Sequence, residues 1–165
     1  MLRQLSNGNR AWQISAEIRG SLSADFIQSL TRWCQRGRFA REAGGLVLGF
    51  IDIDTGGLLA DSITTPCWGD KRSRYSFYRG HGHQVKATQW HRNTDGHGTI
   101  LGLWHSHPEA IPNPSDTDWN DLANMLRHGT YSGSGLIYLI VGTEHIGLWF
   151  GQRDGKIHAL GTIQL

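Results

Sequence analysis

The chain has 165 residues, 38% of them hydrophobic and 18% charged, with a formal net charge of +2. That length suits one domain around a single core, read here as residues 1–165, and the composition excludes a disordered or strongly charged chain. No apolar run approaches the ~20 residues that span a bilayer, residues 1–8 lack the hydrophobic stretch of a signal peptide, and Cys34 and Cys67 stand alone; together these predict a protein of the reducing cytoplasm, without a membrane partner.

Taken in chain order, Trp12–Ile18 alternates well enough to be a first strand. Ser23 or Asp25 caps a helix running to about Gln35, with Phe26, Ile27, Leu30 and Trp33 at helical spacing and Gly37 ending it. Leu46–Ile53 is a strand, Asp54-Thr55-Gly56-Gly57 a turn, and Leu58–Thr64 a second strand. Tyr75–Arg79 reads as a short strand. His81–Asn93 forms a helix with Val85 and Trp90 pointing inward. Thr99–Trp104 is another strand, entered through the turn Asp95–Gly98. A helix from Ser115 to about His128 gathers Trp119, Leu122, Met125 and Leu126 on one face. Leu136–Val141, Ile146–Gln152 and Lys156–Leu160 complete the set, with a hairpin turn at Gly142–His145. The pattern is α/β, a mixed sheet flanked by helices, with no linker or repeat.

The chemistry gathers at the end of the Thr99–Trp104 run, in Trp104-His105-Ser106-His107-Pro108. Residues two apart in a strand face the same side, so both imidazoles converge on one point. Ten residues separate His107 from Asp118, which lies just past a proline-bounded loop at a helix start. Two nitrogens and one carboxylate oxygen, with no fourth protein ligand, suit a catalytic zinc that keeps one position open. A plainer reading stands beside this one. Ser115 as N-cap and Asp118 three residues on also form an ordinary capping box, and paired histidines at a strand end also occur as plain surface residues.

Glu42, followed by Gly44 and Gly45, then His-Ser-His-Pro, then Ser115-x-x-Asp118 resembles the signature of the JAMM (MPN+/JAB) metalloproteases. The resemblance spans about residues 40 to 120. It implies a cytidine-deaminase-like α/β sandwich, zinc held by His105, His107 and Asp118, Glu42 as general base, and Ser115 as donor to the oxyanion. Asp116 and Asp121 are competing carboxylates, but the spacing selects Asp118, and Asp116 is left as a helix-dipole residue. The stretch Pro66-Cys67-Trp68-Gly69-Asp70 and Phe77-Tyr78-Arg79 look most like the bacterial branch found in antiphage operons of the cyclic-oligonucleotide (CBASS) kind. There the expected activity is that of an isopeptidase cutting after the tail of a ubiquitin-like modifier or similarly conjugated protein, with E1- and E2-like enzymes as partners. The competing readings are a non-catalytic MPN scaffold, which would lack metal ligands, and a RadC-like DNA-associated protein with a similar motif.

The remaining features read as structural. His81, His83, His91 and His97 are expected on the surface, with a second metal site at His83 and His91 as the weaker alternative, both cysteines as structural, and Trp68, Trp104 and Trp149 in the core. Arg32, Arg36, Arg38 and Arg41, with Lys71, Arg72, Arg74 and Arg79, form either a solvated face or a docking surface for an acidic partner. Nucleic acid is the weaker alternative, because neither group is interleaved with enough aromatic residues.

Overall fold

The computed structural model describes residues Met1–Leu165. Strands β1 (Leu2–Gln4), β2 (Arg10–Gln13) and β3 (Arg19–Leu22) precede helix α1 (Ala24–Thr31). Next come β4 (Gly44–Ile51), β5 (Leu58–Ile63), the short β6 (Lys71–Arg72) and β7 (Phe77–Tyr78), and helix α2 (Gly82–Asn93). Strand β8 (Thr99–Ser106) leads to helix α3 (Asp116–His128), then β9 (Gly135–Val141), β10 (His145–Gln152) and β11 (Ile157–Gln164). Nine strands form one mixed sheet in the order β1-β2-β3-β5-β4-β8-β9-β10-β11, with β6 and β7 paired separately as a small hairpin. The β3–β5 and β8–β9 pairs are parallel and the other pairs antiparallel.

The central strands are buried on both faces, which explains why β9 reads Gly-Leu-Ile-Tyr-Leu-Ile-Val without alternation. On one face, Phe26 and Leu30 of α1 pack with Trp12, Val47, Leu101, Ile137 and Leu139. On the other, Ala87 of α2 and Leu122 and Leu126 of α3 pack with Leu46, Leu103, Tyr138 and Ile140. Burying each such aliphatic or aromatic side chain contributes about 1.5–3 kcal/mol, so the two layers hold the sheet from both sides. A register shift in the β4–β8 pairing passes over Leu101, and beyond it Leu103 lies on the α3 side while Trp104 lies on the α1 side. A bulge of this kind changes which residues face which layer.

Several boundaries differ from the sequence expectation. The Trp12–Ile18 segment is the end of β2 plus a turn, because the Ser15 hydroxyl accepts from the Glu17 and Ile18 amides and folds the chain into β3. The first helix stops at Thr31. Its last turn tightens through Trp33 and Cys34 amides donating to Leu30 and Thr31, and Trp33 packs instead against Trp104. Strand β11 runs on to Gln164. In α2, Trp90 packs inward as expected, but Val85 is exposed and the buried positions are His83 and Ala87. Trp68 is almost fully solvent-exposed rather than core, Trp149 is half-buried, and Trp104 is fully buried.

Candidate functional site

His105 and His107 share the α3 side at the C-terminal end of β8. Their Nε2 atoms lie 2.9 Å apart, with the rings edge to face and 4.7 Å between centroids. Between them Ser106 points the other way, into the core, and is fully buried. The strand end is held in place because the His107 amide donates to the Val141 carbonyl at 2.9 Å. Glu109 Oε2 stands 3.7 Å from His107 Nδ1, within range of charge attraction but beyond hydrogen-bonding distance.

Helix α3 brings Asp118 to the histidines. Ser115 has extended N-cap geometry, and its hydroxyl accepts from the Asp118 amide at 3.3 Å. Asp118 Oδ2 in turn accepts from the Ser115 amide at 2.6 Å and from its hydroxyl at 2.7 Å. The same carboxylate reaches His105 Nε2 at 3.1 Å and His107 Nε2 at 3.4 Å. Capping and convergence are therefore one arrangement, not alternatives, since the capping box fixes the rotamer that aims Asp118 at the imidazoles.

A buried cluster of two Nε2 atoms and a carboxylate could hold a cation. Tetrahedral zinc with ligands at 2.0–2.2 Å sets ligand-to-ligand spacings of about 3.3 Å. The three separations here, 2.9, 3.1 and 3.4 Å, bracket that value. The donor set also fits, because two ring nitrogens aimed at each other are best satisfied by a shared positive charge.

Glu42 approaches from β4's leading edge. Its amide donates to the Ser73 carbonyl at 2.7 Å and its carbonyl accepts from Arg72 Nε at 2.6 Å, so the backbone is fixed before the strand begins. The side chain is buried, with Oε1 4.0 Å from His107 Nε2. Gly44 is needed two residues on: a Cβ there would meet the Phe77 ring at 2.5 Å, and Phe77 walls the site.

Burial lifts the Glu42 carboxyl to about 7, with Asp118 and Glu109 adding to the rise and His107 opposing it. Burial also pushes the Asp118 carboxyl up, but hydrogen bonds and charge from His105 and His107 outweigh it and hold Asp118 well below the usual range. Desolvation lowers His105. For His107 the burial effect is exceeded by Asp118, Glu42 and Glu109, which raise it. Two carboxylates are thus driven in opposite directions within one cavity, which is how environment separates a proton acceptor from a permanent anion.

The cavity over these residues measures about 370 Å³. Its walls include Phe77, Tyr78, Ser115, Thr117 and Tyr138, whose ring lies 5.6 Å from that of His105. Arg79 bridges to Asp121 at 2.9 and 3.0 Å across the rim, so Asp121 is committed to that pair. Asp116 sits in the first turn of α3, outside the converging cluster. Trp104 does not line the cavity; its Nε1 donates to the Thr64 carbonyl at 2.9 Å on the core side.

One constellation escaped sequence reasoning. His83, expected on the surface, is buried: its Nδ1 lies 2.6 Å from Thr64 Oγ1, and its Nε2 3.0 Å from Asp70 Oδ2. Asp70 also accepts from the Cys67 amide at 2.7 Å and the Gly80 amide at 2.8 Å. Cys67 Sγ lies 4.0 Å from Asp70, so Cys67, Asp70 and His83 form a second group of metal-ligand types. Protein donors already satisfy both Asp70 oxygens, and the group acts as a latch tying the β5–α2 segment, which carries Phe77, to the sheet. His83 lies thirteen positions after Asp70, and no local pattern announces the pairing.

Residues 23–152 match the family model of prokaryotic homologs of the JAB domain. The chain belongs to that family. A Pseudomonas aeruginosa protein named CD-NTase/cGAS isopeptidase is 45% identical over 93 residues, covering 52% of this JAB-domain chain and 56% of the relative. An Escherichia coli protein of the same name is 29% identical over 133 residues, 80% of each chain. The match thus spans little more than half of the Pseudomonas relative's length. Among solved structures, a Desulfitobacterium hafniense protein superposes with a TM-score of 0.54 at 20% identity, over 81% of this chain and 84% of that one. It shares the fold.

Proposed function

We propose that this JAB-domain protein is a zinc-dependent isopeptidase. It would cut after the C-terminal tail of a ubiquitin-like modifier or a similarly conjugated protein, in the cytoplasm of a bacterium with an antiphage conjugation system. The relatives' name makes a CD-NTase the first conjugated protein to test, with E1- and E2-like enzymes as the opposing activity. The observation that carries the reading is the buried Glu42 carboxylate, 4.0 Å from His107 beside the His105, His107 and Asp118 cluster.

When bound, zinc supplies Lewis acidity, polarising the scissile carbonyl and acidifying water. Glu42 takes the proton from the attacking water and returns it to the leaving amine nitrogen as the C–N bond breaks. Burial disfavours the charged form of Glu42, which suits a carboxylate that must take up a proton before donating it. Asp118, held ionised by its hydrogen bonds, stays a ligand across the working pH range. Ser115 is the proposed donor to the oxyanion. Its hydroxyl proton, given to Asp118 at 2.7 Å, turns toward the cavity for that role.

A fusion of a CD-NTase C-terminal tail to a folded reporter provides the test. Clean cleavage at the tail, blocked by phenanthroline and restored by zinc, is expected, with casein left largely intact. Efficient casein digestion without preference for the fusion would mean a general protease.

A further inference from the structure

Two arginine-rich segments distant in sequence meet beside the cavity. Arg36, Arg38 and Arg41 are exposed on the segment between α1 and β4, while Lys71, Arg72 and Arg74 lie on or next to the β6–β7 hairpin. Arg74 Nη1 donates to the Gly37 and Arg38 carbonyls at 3.0 and 2.6 Å, and Gln35 Nε2 donates to the Arg74 carbonyl at 2.7 Å. Arg72 Nη2 reaches the Arg41 carbonyl at 3.4 Å. These contacts use backbone oxygens. None of the six cations has a carboxylate within 4.0 Å, and Arg79–Asp121 is the one arginine or lysine ion pair in the molecule.

The patch is also aromatic. Phe39 is 88% exposed and Tyr75 74% exposed, and each carries a guanidinium over its ring, Arg38 at 5.7 Å and Arg74 at 5.5 Å. On one side Tyr75 lines the cavity that holds Glu42. On the other, Arg36, Arg38 and Arg74 line an open depression together with Pro108, the residue after His107. Glu144 is the only carboxylate lining that depression, and it lies beyond ion-pair distance from the arginines.

Gathering six like charges without a carboxylate in ion-pair contact costs Coulomb energy, which an anionic partner relieves. Planar guanidiniums present paired donors that match carboxylates, and Tyr and Arg are both enriched among the side chains that anchor interfaces. We propose that this surface binds an acidic polypeptide segment of the substrate, one carrying several Asp or Glu carboxylates next to the bond that is cut. The inference rests on the isopeptidase reading for the direction of the chain, since the patch runs into the cavity where an amide would be hydrolysed. That continuity favours a polypeptide over a nucleic acid.

The test is binding, measured by fluorescence polarisation on the full chain with fluorescein-labelled octaglutamate, octaglutamine and a 20-nucleotide single-stranded DNA at 0.1 M salt. Arg36→Glu with Arg38→Glu is compared with a control of equal charge change, Arg3→Glu with Lys156→Glu, all four being exposed. The wild type and the control pair are expected to bind octaglutamate at least about tenfold more tightly than octaglutamine, and the patch pair to lose that preference. Equal loss in both double variants would reduce the effect to net charge and overturn the proposal. Tighter binding of the DNA, abolished by the patch pair alone, would make this a nucleic-acid surface instead. Binding needs no turnover, so a protein that bound octaglutamate but cut nothing would retain this surface while losing the isopeptidase assignment. Circular dichroism of each double variant guards against misfolding, and Arg38→Gln with Arg36→Gln repeats the test with a milder change.

Discussion

The Ser106 hydroxyl accepts the Ala43 amide at 2.9 Å, while the Ser106 amide donates to the Ala43 carbonyl at 2.8 Å. Ser106 lies between the two histidines and Ala43 follows Glu42, so this pair of bonds sets Glu42 relative to His105 and His107. The Ser106 hydroxyl also reaches Gln35 Oε1 at 3.3 Å, tying in the arginine-rich segment.

Ser106→Ala leaves the buried Ala43 amide without its side-chain acceptor, which costs about 1–3 kcal/mol. The expected outcome is a lower melting temperature together with reduced turnover, while zinc content stays unchanged because no ligand is touched. A variant with wild-type turnover would show that Ser106 only fills space.

The Asp70–His83 latch makes a separate prediction. Asp70→Asn places an amide group where protein N–H donors now point, at a cost of about 1–3 kcal/mol. Release of the segment between β5 and α2 should speed tryptic cleavage after Lys71 and Arg72. Unchanged melting and cleavage rates would remove the latch from the account.

Glu42 connects the site to pH-dependent stability. Its folded-state pKa is raised from 4.5 to about 7, first by burial. Between those values the metal-free native state keeps a proton that the unfolded chain has released, so stability falls as pH rises through the window. Glu42→Gln removes that ionisation. The metal-free variant should be up to about 3 kcal/mol more stable than wild type at pH 8, with the gap closing towards pH 4. Denaturant melts at the two pH values check this, and equal stability at pH 8 would mean the carboxylate is not desolvated.

The parts of this fold legible in the sequence are those with local signals. The Thr99–Trp104 run, the His105-Ser106-His107 spacing and the Ser115–Asp118 cap each lie within a few residues, and the structure brings these side chains together. Ser15 hid a turn inside an alternating stretch, because a single serine satisfying two amides leaves no composition signal. His83 looked like a surface helix residue because its partners, Thr64 and Asp70, come from other elements. Trp68 read as core from its residue type alone, yet it caps an exposed loop at 97% accessibility. Likewise the bulge passing over Leu101, which helps set the face the histidines share, is a property of strand pairing.

The proposed division of labour, Glu42 as base and His105, His107 and Asp118 as ligands, is tested most directly by measuring zinc content and tail-fusion turnover on the same preparations of wild type, Glu42→Gln and Asp118→Ala. We expect one zinc per chain in wild type and Glu42→Gln, turnover of Glu42→Gln lowered by ~10²-fold or more, and zinc lost from Asp118→Ala. Full zinc in Asp118→Ala, or undiminished turnover in Glu42→Gln, would contradict the assignment.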